Sequence, residues 1–224
     1  MEGKLFVIEG TDGSGKQTQA DMLYNRLLKE QRKVVKIGFP NYDSESSSLV
    51  KMYLNGEFGA DPDSVSPYAA SVFYAVDRYA TFQKQLKKPY ENGYIILTDR
   101  YVTSNMIHQA SKISDQKEKD KFISWLKDLE YVKFAIPVPT KVFFLDMPPY
   151  VSDELIRSRK NKFSLNTSKD IHEKNAQYML RSYNEAVRCS EVDFWARICC
   201  VQEGILRSKE SINEELYENI TKYL

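Results

Sequence analysis

The residues best suited to chemistry lie in GTDGSGKQTQ, Gly10 to Gln19, a stretch with the form G-x-x-x-x-G-K-S/T except at one position. Gly10, Gly13 and Gly15, interleaved with Thr11, Asp12 and Ser14, let the backbone curl and turn its N–H groups toward phosphate oxygens. Lys16 adds a charge able to follow a transferring phosphoryl group, and a helix starting there aims its positive end at the same point. Gln17 stands where a metal-ligating hydroxyl is usual. Its amide oxygen can hold magnesium or a metal-bound water but reaches farther than serine, and Thr18 is turned by about 100° around the helix. The plain alternative is an ordinary glycine turn before a helix.

Three further stretches carry suitable groups. Asp99 and Arg100 open DRY at the end of an apolar run, where an acid can order metal-bound water and a guanidinium can bind a second phosphate. A simple Asp99 to Arg100 ion pair is the competing explanation. In FYAVDRY, Tyr74 and Arg78 are four apart and share a helical face, suited to stacking on a nucleobase and donating to its carbonyl edge, or to surface cation-π packing. The segment 157–170, with Arg157, Arg159, Lys160, Lys162 and Lys169, is either a solvated charge run or a lid closing cations over phosphates. Asp146, at another strand exit, is left out of the catalytic set. Magnesium is expected on ATP oxygens and water near Gln17 and Asp99, with no direct protein ligand assigned.

The elements that must position these groups are legible as alternation. Apolar runs at 4–10, 33–40, 94–100, 141–147 and 195–201 have the continuous character of strands covered on both faces. Segments with helical spacing follow Lys16 and lie near 67–88, 113–133, 150–160, 171–190 and 211–224. This pattern predicts one α/β domain over 1–224, doubly wound in three layers. Two loops, 40–48 and 157–170, are expected to be mobile and to border the site. A net charge of +1 argues against nucleic acid as the main partner. Without a leader pattern or a run long enough to cross a bilayer, a soluble cytoplasmic protein is expected. Cys199 and Cys200, in the last apolar run, are read as buried packing residues, and Cys189 as reduced.

Taken in order, IEGTDGSGKQTQ, FP, YAVDR, DRYVTSN and the basic segment leading to DIHE make the chain resemble the thymidylate kinases nearly end to end. The resemblance implies the P-loop kinase fold, a five-stranded parallel sheet, Mg-ATP and dTMP as partners, and often a homodimer. It implies that Asp12 contacts the sugar 3'-hydroxyl, that Tyr74 stacks on thymine and Arg78 reads its O4, and that Phe39 and Pro40 line the acceptor pocket. Asp99 and Arg100 fall on the magnesium-water and acceptor-phosphate positions, and Ser104 and Asn105 on the rest of the base pocket. Two departures bear on mechanism. Gly13 stands where one subgroup has an arginine, which passes the catalytic charge to Arg157 and Arg159 in the lid. Tyr42 stands where many members have an arginine for the acceptor phosphate, leaving more of that work to Arg100 and the Tyr42 hydroxyl. His108 and His172 are candidate neighbours of the deoxyribose, and Arg207 a candidate for adenine packing. Another nucleoside or nucleoside-monophosphate kinase, or a nucleotide-binding regulator without turnover, is the alternative activity.

Overall fold

The computed structural model describes residues 2–162, 171–172, 175–192 and 194–224, with the side chains of 157–162 outside that description. All five apolar runs are strands: β1 (Lys4–Glu9), β2 (Val34–Gly38), β3 (Ile95–Asp99), β4 (Lys141–Asp146) and β5 (Trp195–Cys199). They form one parallel sheet in the order β2-β3-β1-β4-β5. In β1, Leu5 and Val7 face one layer and Phe6 and Ile8 the other, all fully buried. That two-sided burial is why the run shows no polar alternation. Each such side chain contributes roughly 1.5–3 kcal/mol on leaving water.

On one face lie α1 (Lys16–Lys29) and α9 (Lys209–Thr221), which present Leu23, Leu27, Leu216 and Ile220 to Phe6 and Ile8. On the other lie α5 (Val102–His108), α6 (Gln116–Lys127) and α8 (Ala176–Cys189), which bury Ile107, Phe122 and Ala186 against Leu5 and Val7. A smaller cluster joins α2 (Ser48–Leu54) to α3 (Pro67–Thr81) through Tyr53, Leu54 and Ala70. Ser66 caps α3 by accepting from Ala69 N at 3.2 Å, with Pro67 at the first position. Past Thr81, α3 widens into a π-helical turn and runs on as α4 (Lys87–Glu91), and α6 does the same over Asp128–Lys133.

Several expectations are corrected. The helix α5 escapes the periodic pattern because all seven of its residues are buried, so it has no polar face to read. The 40–48 loop is tied down rather than loose: Asn41 N donates to Asp77 Oδ2 at 2.8 Å, and Ser46 Oγ to Asp77 Oδ1 at 2.7 Å. Helix α7 (Pro149–Lys162) bears out the helical spacing near 150–160 and runs two residues further, carrying the backbone of Arg157 and Arg159 within the segment 157–170 that was expected to be a loop. Of the two cysteines in the last run, Cys199 is exposed and Cys200 buried, because β5 is the edge strand of the sheet and is not covered all round. Val201 then enters a two-residue-turn hairpin, β6 (Val201–Gln202) with β7 (Ile205–Leu206), whose turn residues Glu203 and Gly204 both have positive φ.

Candidate active site

The phosphate loop joins β1 to α1 at the carboxyl edge of the central strand, beside β3, where the strand order reverses. Gly15, at φ +84°, caps α1 without any side-chain hydrogen bond, which leaves the first-turn N–H groups open to an anion. Gly13, at φ +81°, packs so closely that a Cβ would stand 2.8 Å from Ser152 O in α7. Lys16 is buried and bends back over the loop, its Nζ donating to Thr11 O at 2.8 Å and lying 3.9 Å from Asp12 Oδ1. Burial, reinforced by Arg100, pushes the Lys16 ammonium down to about 8, against the pull of Asp12, Asp99 and Glu9.

From the end of β3, Arg100 crosses to the loop. Its backbone is in the left-handed region at φ +66°, held by Arg100 N donating to Ile8 O at 3.1 Å. Its Nη2 donates to Asp12 Oδ1 at 2.5 Å and its Nη1 to His108 Nε2 at 2.9 Å. Arg100 thus pairs with Asp12 rather than with Asp99. Asp99 Oδ1 instead stands buried with no protein hydrogen bond among the described residues, as do Thr11 Oγ1 and Ser14 Oγ. Three buried oxygens without partners beside a phosphate loop suit a hard, oxygen-seeking cation and its water, so these residues fit magnesium. Gln17 is exposed and Thr18 half-buried in the first turn of α1.

An open cleft of about 590 Å³ adjoins the loop. All nine residues expected at the acceptor, Asp12, Phe39, Pro40, Tyr42, Tyr74, Arg78, Arg100, Ser104 and Asn105, line it. The Phe39 to Pro40 peptide is cis, and Phe39 is itself buried against Tyr101 with ring centroids 5.8 Å apart. Asn105 Nδ2 donates to Ser71 O at 3.3 Å. His108 and His172 also line the cleft, with near-parallel rings 6.2 Å apart. Burial keeps His172 neutral, its pKa down to about 3, and lowers His108 as well. The side chains of Arg157, Arg159, Lys160 and Lys162, and all of Lys169, lie outside the described residues.

Four residues that sequence reasoning missed organise this site. Glu9, fully buried at the end of β1, accepts from Tyr101 N at 3.2 Å, Thr103 Oγ1 at 2.6 Å and Ser104 Oγ at 2.8 Å, which pins the start of α5. Ser104 thus spends its hydroxyl on Glu9 while still lining the cleft. Burial raises the Glu9 carboxyl, and Arg100 with these hydroxyls draws it back. Gln109 is fully buried on the cleft, and neither end of its amide has a partner among the described residues. Asp77 anchors the Pro40 loop, and Glu130 meets Arg78. The sequence signal for Glu9 was its place just before the glycine loop, and that for Asp77 its place beside Arg78 in YAVDR; Gln109 and Glu130 had none. Asp146, left out of the catalytic set, and Arg207, the candidate for adenine packing, both have ion-pair partners. Asp146 accepts from Tyr183 OH and Arg197 Nε, both at 2.8 Å, and Arg207 Nη1 donates to Glu215 Oε2 at 2.6 Å.

A glycine loop capping a helix, a buried lysine folded over it and a cleft with a second cation define a P-loop phosphotransferase that acts on a nucleotide. A family model described as Thymidylate kinase matches residues 8–205. The chain belongs to the thymidylate kinase family, and it is an ATP-dependent dTMP kinase. It is 28% identical to a thymidylate kinase of Prochlorococcus marinus, covering 100% of this chain and 99% of that one. It is 32% identical to a probable thymidylate kinase of Thermococcus kodakarensis, over 70% and 73%. The solved structure of a Candida albicans thymidylate kinase superposes with a TM-score of 0.70 at 21% identity, covering 99% of this chain and 92% of that one, a likeness in fold. Among the described residues, no helix is long and apolar enough to cross a membrane.

Proposed function

We propose that the enzyme holds dTMP in the cleft with its phosphate toward Arg100, and passes to it the γ-phosphoryl group of ATP bound, as a magnesium complex, on the loop. The carrying observation is the position of Asp12, one carboxylate 2.5 Å from Arg100 and 3.9 Å from Lys16. Donor loop and acceptor cleft therefore meet at a single acid flanked by two cations.

Phosphoryl transfer passes through a loose transition state, so the protein works chiefly by positioning and by charge. Lys16 follows the moving group, and Arg100, kept protonated by Asp12, Glu9 and Asp99 despite burial, fixes the acceptor phosphate. Asp12 orients the sugar hydroxyl. Magnesium, when bound, neutralises charge on the phosphate oxygens, and Asp99, Ser14 and Thr11 would hold it directly or through water. At the far end Tyr74 stacks on the base, Arg78 donates to its carbonyl, and the unpaired amide of Gln109 supplies a further donor and acceptor. Arg157 and Arg159 are the proposed lid cations.

The enzyme is further proposed to be a homodimer. Tyr68, Val72, Val76 and Tyr79 form one stripe along α3, each 37–41% exposed, an apolar strip suited to a second copy. A cytoplasmic location is supported by three free cysteines. The deciding experiment is ADP release from Mg-ATP with dTMP, dUMP, dCMP, dGMP and UMP, with Lys16→Ala as the blank. The expected result is a clear dTMP preference and a loss of at least about 100-fold in the variant. Equal turnover with every acceptor, or a folded Lys16→Ala at near-normal rate, overturns the assigned roles.

A further inference from the structure

Arg78 is a buried cation that nonetheless lines the acceptor cleft, with 1% of its surface exposed. Its charge is met from the π-helical turn Asp128–Lys133, which brings in Glu130, fully buried and absent from the cleft wall. Arg78 Nε donates to Glu130 Oε2 and Nη2 to Glu130 Oε1, both at 2.6 Å, a two-pronged clamp. Nη1 makes only a long contact, 3.4 Å, to Tyr101 O.

A guanidinium has five N–H donors and no acceptor. Two are spent on Glu130 and one points at Tyr101 O, so the remaining N–H groups sit on the edge turned away from the carboxylate. That edge can satisfy a ring carbonyl and is repelled by an amino group. Discrimination of this kind requires a fixed plane, because an arginine free to rotate would retreat from the wrong base. The clamp fixes both the plane and the torsion. It also neutralises the buried charge, so that an uncharged base, rather than the ligand's own phosphate, fits beside it.

We infer that Glu130 is a specificity-determining positioning residue: it locks Arg78 so that its free donor edge selects a nucleobase carrying a carbonyl over one carrying an amino group. This rests on the proposal that Arg78 reads the base. Glu130 itself touches no substrate.

The test is steady-state kinetics with dTMP and dCMP for wild type, Glu130→Gln, Glu130→Asp and Arg78→Lys, each checked by circular dichroism melting. In Glu130→Gln the new amide opposes one arm of the clamp. Its KM for dTMP should rise about tenfold with kcat within about threefold, and the dTMP to dCMP ratio of kcat/KM should fall about tenfold. Glu130→Asp, which keeps the charge, should recover part of that ratio. A folded Glu130→Gln that melts earlier but keeps the wild-type ratio overturns the inference and leaves Glu130 a purely structural partner. If Arg78→Lys also leaves the ratio unchanged, the base-reading role of Arg78 fails instead.

Should the Glu130 variants not fold, arginine-labelled nitrogen NMR of the wild-type enzyme decides. A protected Arg78 Nε–H with hindered guanidinium rotation, alike with and without dTMP, supports the clamp. A signal averaged in the free enzyme that sharpens only with dTMP overturns it.

Discussion

Arg100 Nη2 donates to Asp12 Oδ1 at 2.5 Å, joining the end of β3 to the middle of the phosphate loop. Burial works against the Asp12 carboxylate, but Arg100 and Lys16 together hold its pKa well below the usual range. It therefore stays charged throughout neutral pH. Replacing Asp12 with Asn should lower kcat/KM for dTMP by about 10- to 100-fold at pH 6, the scale of one charged hydrogen bond, and by more at pH 8, because Lys16 without the Asp12 charge beside it loses its proton at lower pH. Kinetics at the two pH values check this.

Lys16, with its pKa down to about 8, changes charge within the working range. As pH rises through about 8 the ammonium is lost, so ATP affinity should weaken above that value. Bound triphosphate draws the pKa back up, and binding near pH 8 should take up about half a proton. Titration calorimetry in buffers of different ionisation enthalpy measures that uptake. No net uptake would mean that Lys16 is not at the phosphates.

Gln17 is exposed at the first turn of α1, where serine would be shorter and closer to the loop. Gln17→Ser should lower the magnesium concentration giving half-maximal rate by about threefold to tenfold while changing kcat little. A magnesium titration of both enzymes at fixed ATP tests it.

His172 and His108 are neutral in the folded protein because burial opposes their charge, His172 to a pKa of about 3. Unfolded, each binds a proton below about 6.5, so unfolding consumes protons and stability falls as pH drops from there. The slope approaches about 1.4 kcal/mol per pH unit for each histidine. Urea denaturation at pH 6.5, 5.5 and 4.5 should show a smaller loss for His172→Gln than for wild type.

The α3 stripe supplies the oligomer prediction. Val76, 40% exposed, lies at its centre, and Val76→Asp should convert a dimer of 26.0 kDa chains to monomer in sedimentation. The melting temperature of the monomer need change little, since the side chain already faces outward.

Much of this protein was legible as a string because its decisive signals are local. Gly10 to Lys16 bend within one turn, and each strand shows burial on two faces in its own composition, as Leu5 to Ile8 do. The phosphate loop and the five strands are marked that way, whereas Phe39, Pro40, Tyr42, Ser104 and Asn105 were legible only through the resemblance of the ordered motifs to the thymidylate kinases. Tertiary structure decided which charges meet. Glu9 holds Thr103 across 94 residues, Arg78 is clamped by Glu130 across 52, and Arg100 reaches Asp12 across 88. Helix α5 disappears into the core with no polar face to betray it, and Gln109 gains meaning only from the neighbours it lacks. Electrostatic and hydrogen-bond energies fall off with distance through space, a quantity that residue order leaves open until the sheet has brought its strand ends together.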